Sequence, residues 1–150
     1  MNKLLLAAFG AAAVACTSAA VAEPYVDYTP QKGYWTITAV EVDPNHVDDY
    51  LTGLRGSQVS AFEVLKRRGL IDDYRLLVRN GYVKGGPNVL IMTHSPSTAL
   101  IDPEQGRDQA VQKEIFQAFS KEKGEAAVRG YEKYRTFIDT GDWQTMVMNK

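Results

Sequence analysis

The sequence predicts an α+β domain whose elements run β-α-β-β-α-β, with the second helical region split in two. Three observations carry this. Tyr34–Val42 reads YWTITAVEV, a run of β-branched and aromatic residues. Two further runs, residues 73–80 (DYRLLVRN) and 88–94 (NVLIMTH), flank a Gly85-Gly86-Pro87 turn. The remaining apolar residues recur at helical spacing in the segments between and after these runs.

Taken in order, residues 23–33 hold Pro24, Asp27 and Pro30 and read as a flexible leader. The first strand follows. Asp43 and Pro44 then make a helix start, as N-cap and first helical residue, where the missing proline N–H costs nothing. Val47, Leu51, Leu54, Phe62 and Leu65 continue at helical spacing, and Gly53 and Gly56 predict a kink. Lys66, Arg67 and Arg68 suit the negative end of the helix dipole, and Gly69 the position after it. The second and third strands come next, the third stopped by Pro96. Residues 97–106 read as a loop with at most a short helical turn. A helix over 108–119 places Val111, Ile115 and Phe119 on one side. A second helix over 121–138, with Ala127, Tyr131, Tyr134 and Ile138 in register, ends at Gly141, and 143–148 (WQTMVM) forms a last strand. The aromatic set Tyr131, Tyr134 and Phe137 reads as core and helix packing.

This order is the ferredoxin-like arrangement, in which helices cover one face of a four-stranded antiparallel sheet. The other face would expose Leu77, Leu90 and Met92, and a second copy of the chain is its simplest cover. The expected assembly is a homodimer.

The first residues predict export. Lys3 is the one cationic side chain ahead of an apolar and small-residue run over 4–15, and Ala20-Val21-Ala22 follows. That is the order of a signal peptide, 1–22, cut before Glu23. The apolar run is shorter than the roughly 20 residues a membrane span needs. Ala13-Val14-Ala15-Cys16 resembles a bacterial lipobox and supplies the rival reading, a lipid anchor at Cys16. The expected location is periplasmic or secreted, with membrane attachment only through that cysteine.

Removing the first 22 of 150 residues leaves 128, with 16 basic against 18 acidic side chains, a size suited to one core over 34–150. No basic cluster points to nucleic acid. The one cysteine, Cys16, lies in the signal, so the mature chain has no disulfide, no thiol nucleophile and no cysteine metal site. No solenoid-period repeat occurs.

The motifs Val40-Glu41-Val42-Asp43-Pro44 and Arg67-Arg68-Gly69-Leu70-Ile71-Asp72-Asp73-Tyr74-Arg75-Leu76, followed by a helical C-terminal half, resemble the dimeric α/β barrel superfamily. The resemblance extends over residues 34–148 and is most similar to exported, uncharacterised bacterial members. That superfamily includes NIPSNAP-like proteins, antibiotic-biosynthesis-type cofactor-free monooxygenases, haem-degrading enzymes and stress-responsive barrels. The resemblance therefore implies a fold and leaves the activity open. No residue of the haem-degrading set can be matched to Trp35, Asn80 or His46.

Strand alternation nominates a site on the face opposite the helices. Arg75, Leu77 and Arg79 share one side of the second strand, and Leu90, Met92 and His94 one side of the third. On the first strand, Tyr34, Thr36 and Thr38 form the more polar set. The expected lumen thus carries Tyr34, Thr36, Thr38, Arg75, Arg79, Met92 and His94, a set suited to a small anionic or phenolic molecule. His94 is the candidate general base, because imidazole changes charge near neutral pH. The plainer readings are an Arg75 and Arg79 ladder paired to acids of a second subunit, and His94 as a loop hydrogen-bonding group. His46, in a first helical turn, reads as a surface capping-region residue. The two histidines are not at metal-ligand spacing, and no cofactor is expected apart from a haem alternative through His46 or His94. Three functions stand side by side: a small-molecule-binding barrel, a cofactor-free oxygenase or isomerase acting on a phenolic substrate, and a haem-binding protein.

Overall fold

A computed structural model describes residues 21–150; residues 1–20, Cys16 among them, lie outside the described residues. The protein is α+β, with two antiparallel sheets. The strands are β1 (Tyr28–Pro30), β2 (Tyr34–Val42), β3 (Asp73–Val78), β4 (Val89–Ser95), β5 (Arg135–Trp143) and β6 (Met146–Met148). The helices are α1 (Val47–Leu54), α2 (Ser60–Arg67), α3 (Gln105–Ala118) and α4 (Lys121–Tyr131). The larger sheet has the order β3-β4-β2-β5, and β1 pairs with β6 in the smaller one. The larger sheet and its helical connections are consistent with a ferredoxin-like arrangement.

The region from Pro44 to Arg67 is helical, as expected. Asp43 accepts a hydrogen bond from the Asn45 N–H ahead of a short 3-10 turn, Pro44–His46. The kink expected near Gly53 and Gly56 is a π-helical turn, Arg55–Val59, between α1 and α2. Gly53 allows close packing here: a Cβ on it would collide with the Tyr131 ring of α4. Gly69 ends the helical region at φ +69°, a backbone that glycine adopts at no steric cost.

The core lies between one face of the larger sheet and the helices. Val40 and Val42 of β2 and Val89 and Ile91 of β4 meet Tyr50 and Leu54 of α1, Phe62 of α2 and Tyr131 of α4. Asn88 is the one buried polar side chain of this region, and its amide both accepts from the Val42 N–H (2.7 Å) and donates to the Val42 carbonyl (2.8 Å). It thereby extends the β2–β4 pairing by one step, and its burial is compensated. The Tyr50 hydroxyl has no hydrogen-bond partner among the described residues. Burial raises its pKa, against the opposing effect of Arg135.

Several sequence expectations are corrected. The last helix stops at Tyr131, followed by a 3-10 turn, Glu132–Tyr134, and then by β5. Ile138 and Gly141 are therefore strand residues. The 127, 131, 134 periodicity is real, but the Thr136-Phe137-Ile138 run supplies the strand that pairs the second edge of β2. Phe137 accordingly leaves the core and is 54% exposed. The segment expected as one last strand is divided: Trp143 ends β5, and Met146–Met148 pairs with β1. The expected loose leader is pinned by that pairing and by the Asn149 side chain, which contacts Thr29 and the Val26 carbonyl.

Candidate functional site

Register decides which side chains share a face. On β2, Val40 and Val42 are fully buried against the helices. Counting back in twos, Tyr34, Thr36 and Thr38 share that helix side. The expected assignment of these three to the opposite face is therefore wrong. Thr36 instead donates to Asp142 of β5 (2.6 Å), and Thr38 lies 3.4 Å from the Thr140 hydroxyl. The polarity of Tyr34, Thr36 and Thr38 misled because this end of the helix side is only half-buried. The side chains facing away from the helices are Trp35, Ile37 and Ala39. The parity of Val40 and Val42, already visible in the sequence, was the signal that could have revealed this.

On β3 and β4 the expectation stands. Arg75 pairs with Met92, and Asp73 with His94, on the face away from the buried Val89 and Ile91. Arg79 falls beyond the end of β3 and is exposed, its N–H donating to the Asn88 carbonyl (2.9 Å). It does not join the cluster.

The cluster that does form centres on Trp35 and His94, direct cross-strand partners. Their rings lie 5.0 Å apart, tilted by 46°. The Arg75 guanidinium sits 4.8 Å from the Trp35 ring and is tied to Asp73 (2.9 Å). That contact holds the Asp73 carboxyl below its usual range. Arg75 is thus charge-compensated within its own chain. His94 Nδ1 lies 2.6 Å from Asp72 Oδ1, and the Asp72 N–H donates to the His94 carbonyl (3.0 Å). An ionised carboxylate only accepts, so Nδ1 donates in that bond, and in the neutral form of the ring Nε2 presents its lone pair. Gly33, buried at φ +79°, backs onto Nε2: a Cβ there would lie 2.8 Å away. Sequence reasoning missed Trp35, Asp72, Asp73 and Gly33, because a local reading shows neither the β2 parity nor the loop geometry that brings Asp72 to His94.

His46 makes a similar but separate pair. Its Nδ1 lies 2.9 Å from Asp49, and its ring stacks on Tyr134 at 3.7 Å. Among the described residues, no group of three or more His, Cys, Asp or Glu could hold a metal ion. No described helix is long and apolar enough to cross a membrane.

Fold and site together describe an α+β protein with an aromatic-histidine-carboxylate cluster on the sheet face away from its helices. No protein-family model, curated protein or solved structure matches the chain.

Proposed function

We propose that the sheet face opposite the helices binds a small phenolic molecule, and that a second copy closes over this face as a dimeric α/β barrel of the ferredoxin-like type. The single observation that carries this reading is the Asp72–His94–Trp35 arrangement. An indole face offers stacking to an aromatic ring, and Nε2 offers an acceptor to a phenol O–H. A phenol suits the site better than an anion, because Asp73 already neutralises Arg75. The order β3-β4-β2-β5 and the exposure of Leu77 (47%) and Trp143 (58%) support a second copy as the cover. The signal-like order of residues 1–22 supports a periplasmic or secreted location for such a binder.

Titration with 4-hydroxybenzoate and benzoate, followed by tryptophan fluorescence, tests the ligand. The hydroxylated compound is expected to bind more tightly, and His94→Ala to abolish the difference. Equal responses to both compounds would remove the phenol reading. Sedimentation is expected to show a dimer, and a clean monomer would sink the barrel.

The same pair favours a second reading, a cofactor-free oxygenase or isomerase. Asp72 fixes the imidazole and His94 Nε2 removes the phenolic proton, as a general base held by a carboxylate does. Oxygen uptake across a phenol panel checks this; uptake that survives His94→Ala takes the histidine out of the role. An Nδ1–carboxylate bond also orients histidines that ligate metals and haem. Added haem without a Soret shift would dismiss that third reading.

A further inference from the structure

On the helix side of the sheet, a groove of about 440 Å³ lies between the helical region and β3, an edge strand. Leu51, Arg55 and Val59 line one wall, and Tyr74, Leu76 and Val78 the other. Both walls follow from periodicity. Residues 51, 55 and 59 stand four apart, on one helical face. Tyr74, Leu76 and Val78 alternate along β3 and pair with Thr93, Ile91 and Val89 of β4. They therefore share the side on which Val89 and Ile91 are buried. No strand lies beyond β3 on this edge, and Val78 stays 49% exposed.

The lining is aliphatic and aromatic except for Thr52 and Arg55. Tyr74 is held in place by the bond from its hydroxyl to Glu63 and by the Phe62 ring, 5.4 Å away. Arg55 is the one charged side chain of the lining, and no acid faces it there. Among the described residues it forms no ion pair within 4.0 Å. It also opens the π-helical turn Arg55–Val59, a feature frequent at functional sites.

We propose that this groove binds a medium-chain aliphatic carboxylate, its chain between α1 and β3 and its head on Arg55. The chain takes apolar surface of Leu51, Val59, Leu76 and Val78 out of water. The carboxylate accepts two parallel N–H bonds from the guanidinium. A neutral apolar ligand would leave Arg55 without its partner. A small anion would gain only an exposed, screened contact. From Tyr74 to Val78 the wall spans four strand steps, about 13 Å, long enough for an extended chain of medium length. The volume falls within the range of small-molecule sites. The groove lies on the opposite side of the sheet from the Trp35–His94 cluster and stands without it.

The test is titration of the isotope-labelled mature chain with octanoate, octanol and acetate, read by backbone amide NMR. Octanoate is expected to shift the amides of residues 51–59 and 74–78. It is expected to bind at least about ten-fold more tightly than octanol, which lacks the charge, or acetate, which lacks the chain. Arg55→Gln, at an exposed position, should weaken octanoate about ten-fold while leaving amide dispersion intact. Val78→Asp supplies the second variant should Arg55→Gln not fold; it sets an acid in the groove and should weaken octanoate at least as much. Absence of shifts with octanoate overturns the proposal. So do shifts confined to Ile115 and Phe116 of α3, which would place the chain among the helices. Equal binding of octanol would mean an apolar surface only and overturns it too, as does undiminished octanoate binding by a folded variant.

Discussion

Gly33 backs onto the imidazole of His94, and a Cβ at position 33 would lie 2.8 Å from Nε2 and collide with the Ser95 carbonyl oxygen. Both the φ of +79° and the missing side chain are therefore required. Gly33→Ala is expected to cost on the order of 1–3 kcal/mol and to cover the lone pair of Nε2. Chemical denaturation measures the first effect, and fluorescence titration with 4-hydroxybenzoate the second. A variant as stable as the native chain would show that the loop relaxes freely away from His94.

Leu54 of α1 is fully buried in the core between the helices and the sheet. Leu54→Ala removes apolar contacts and leaves a cavity, with an expected loss of about 2–5 kcal/mol. Urea unfolding midpoints at constant m-value check it. A loss well below that range would mean that the helices collapse into the space.

Glu114 of α3 holds Arg67 (3.0 Å) and Arg68 (2.7 Å) at the end of α2. These bonds keep its carboxyl below the ordinary 4.5 of a glutamate, Arg68 contributing most. Glu41 is lowered in the same sense, first by the Gly85 N–H and then by the Tyr82 hydroxyl. For such groups the folded state binds fewer protons than the unfolded one near their pKa. Their contribution is complete above the unfolded value and fades as pH falls through the lower, folded one. Thermal midpoints should therefore fall on acidification below about 4.5, and Glu114→Gln should flatten that limb. An unaltered acid limb in Glu114→Gln would show that the two arginines contribute nothing measurable.

Asn149 ties the segment after β6 to residues 26–29, before and within β1. Its side chain accepts from the Thr29 hydroxyl (3.0 Å) and donates to the Val26 carbonyl (2.9 Å), and its N–H donates to the Asp27 carbonyl (2.9 Å). Asn149→Ala should speed hydrogen exchange at the Gln31 amide, which donates to the Thr145 carbonyl next to the β1–β6 pairing, by about ten-fold or more, and leave β2 and β4 amides unchanged. Exchange rising equally throughout would mean that the small sheet unfolds only together with the large one.

Much was legible in the sequence. Tyr34–Val42, the helix start at Asp43-Pro44, the stop at Gly69 and the strands around Gly85-Gly86-Pro87 are local decisions, made by β-branched content, capping chemistry and glycine's freedom at positive φ. The shared face of Arg75, Met92 and His94 is legible too, because β3 and β4 alternate cleanly. What failed depended on partners far along the chain. Residues 135–138 satisfy a helical spacing and a strand composition equally, and the unpaired edge of β2 decided between them. Tyr34, Thr36 and Thr38 look like solvent-facing residues, yet their side was set by Val40 and Val42 entering the helix-covered core. The sequence alone determined which segments are strands and helices wherever the preference is local. The tertiary structure alone decided that Trp35 faces His94, that Asp72 reaches its Nδ1, and that Arg75 is spent on Asp73. Those contacts join residues brought together by strand register, and register follows from the burial of a whole face rather than from any one residue's preference.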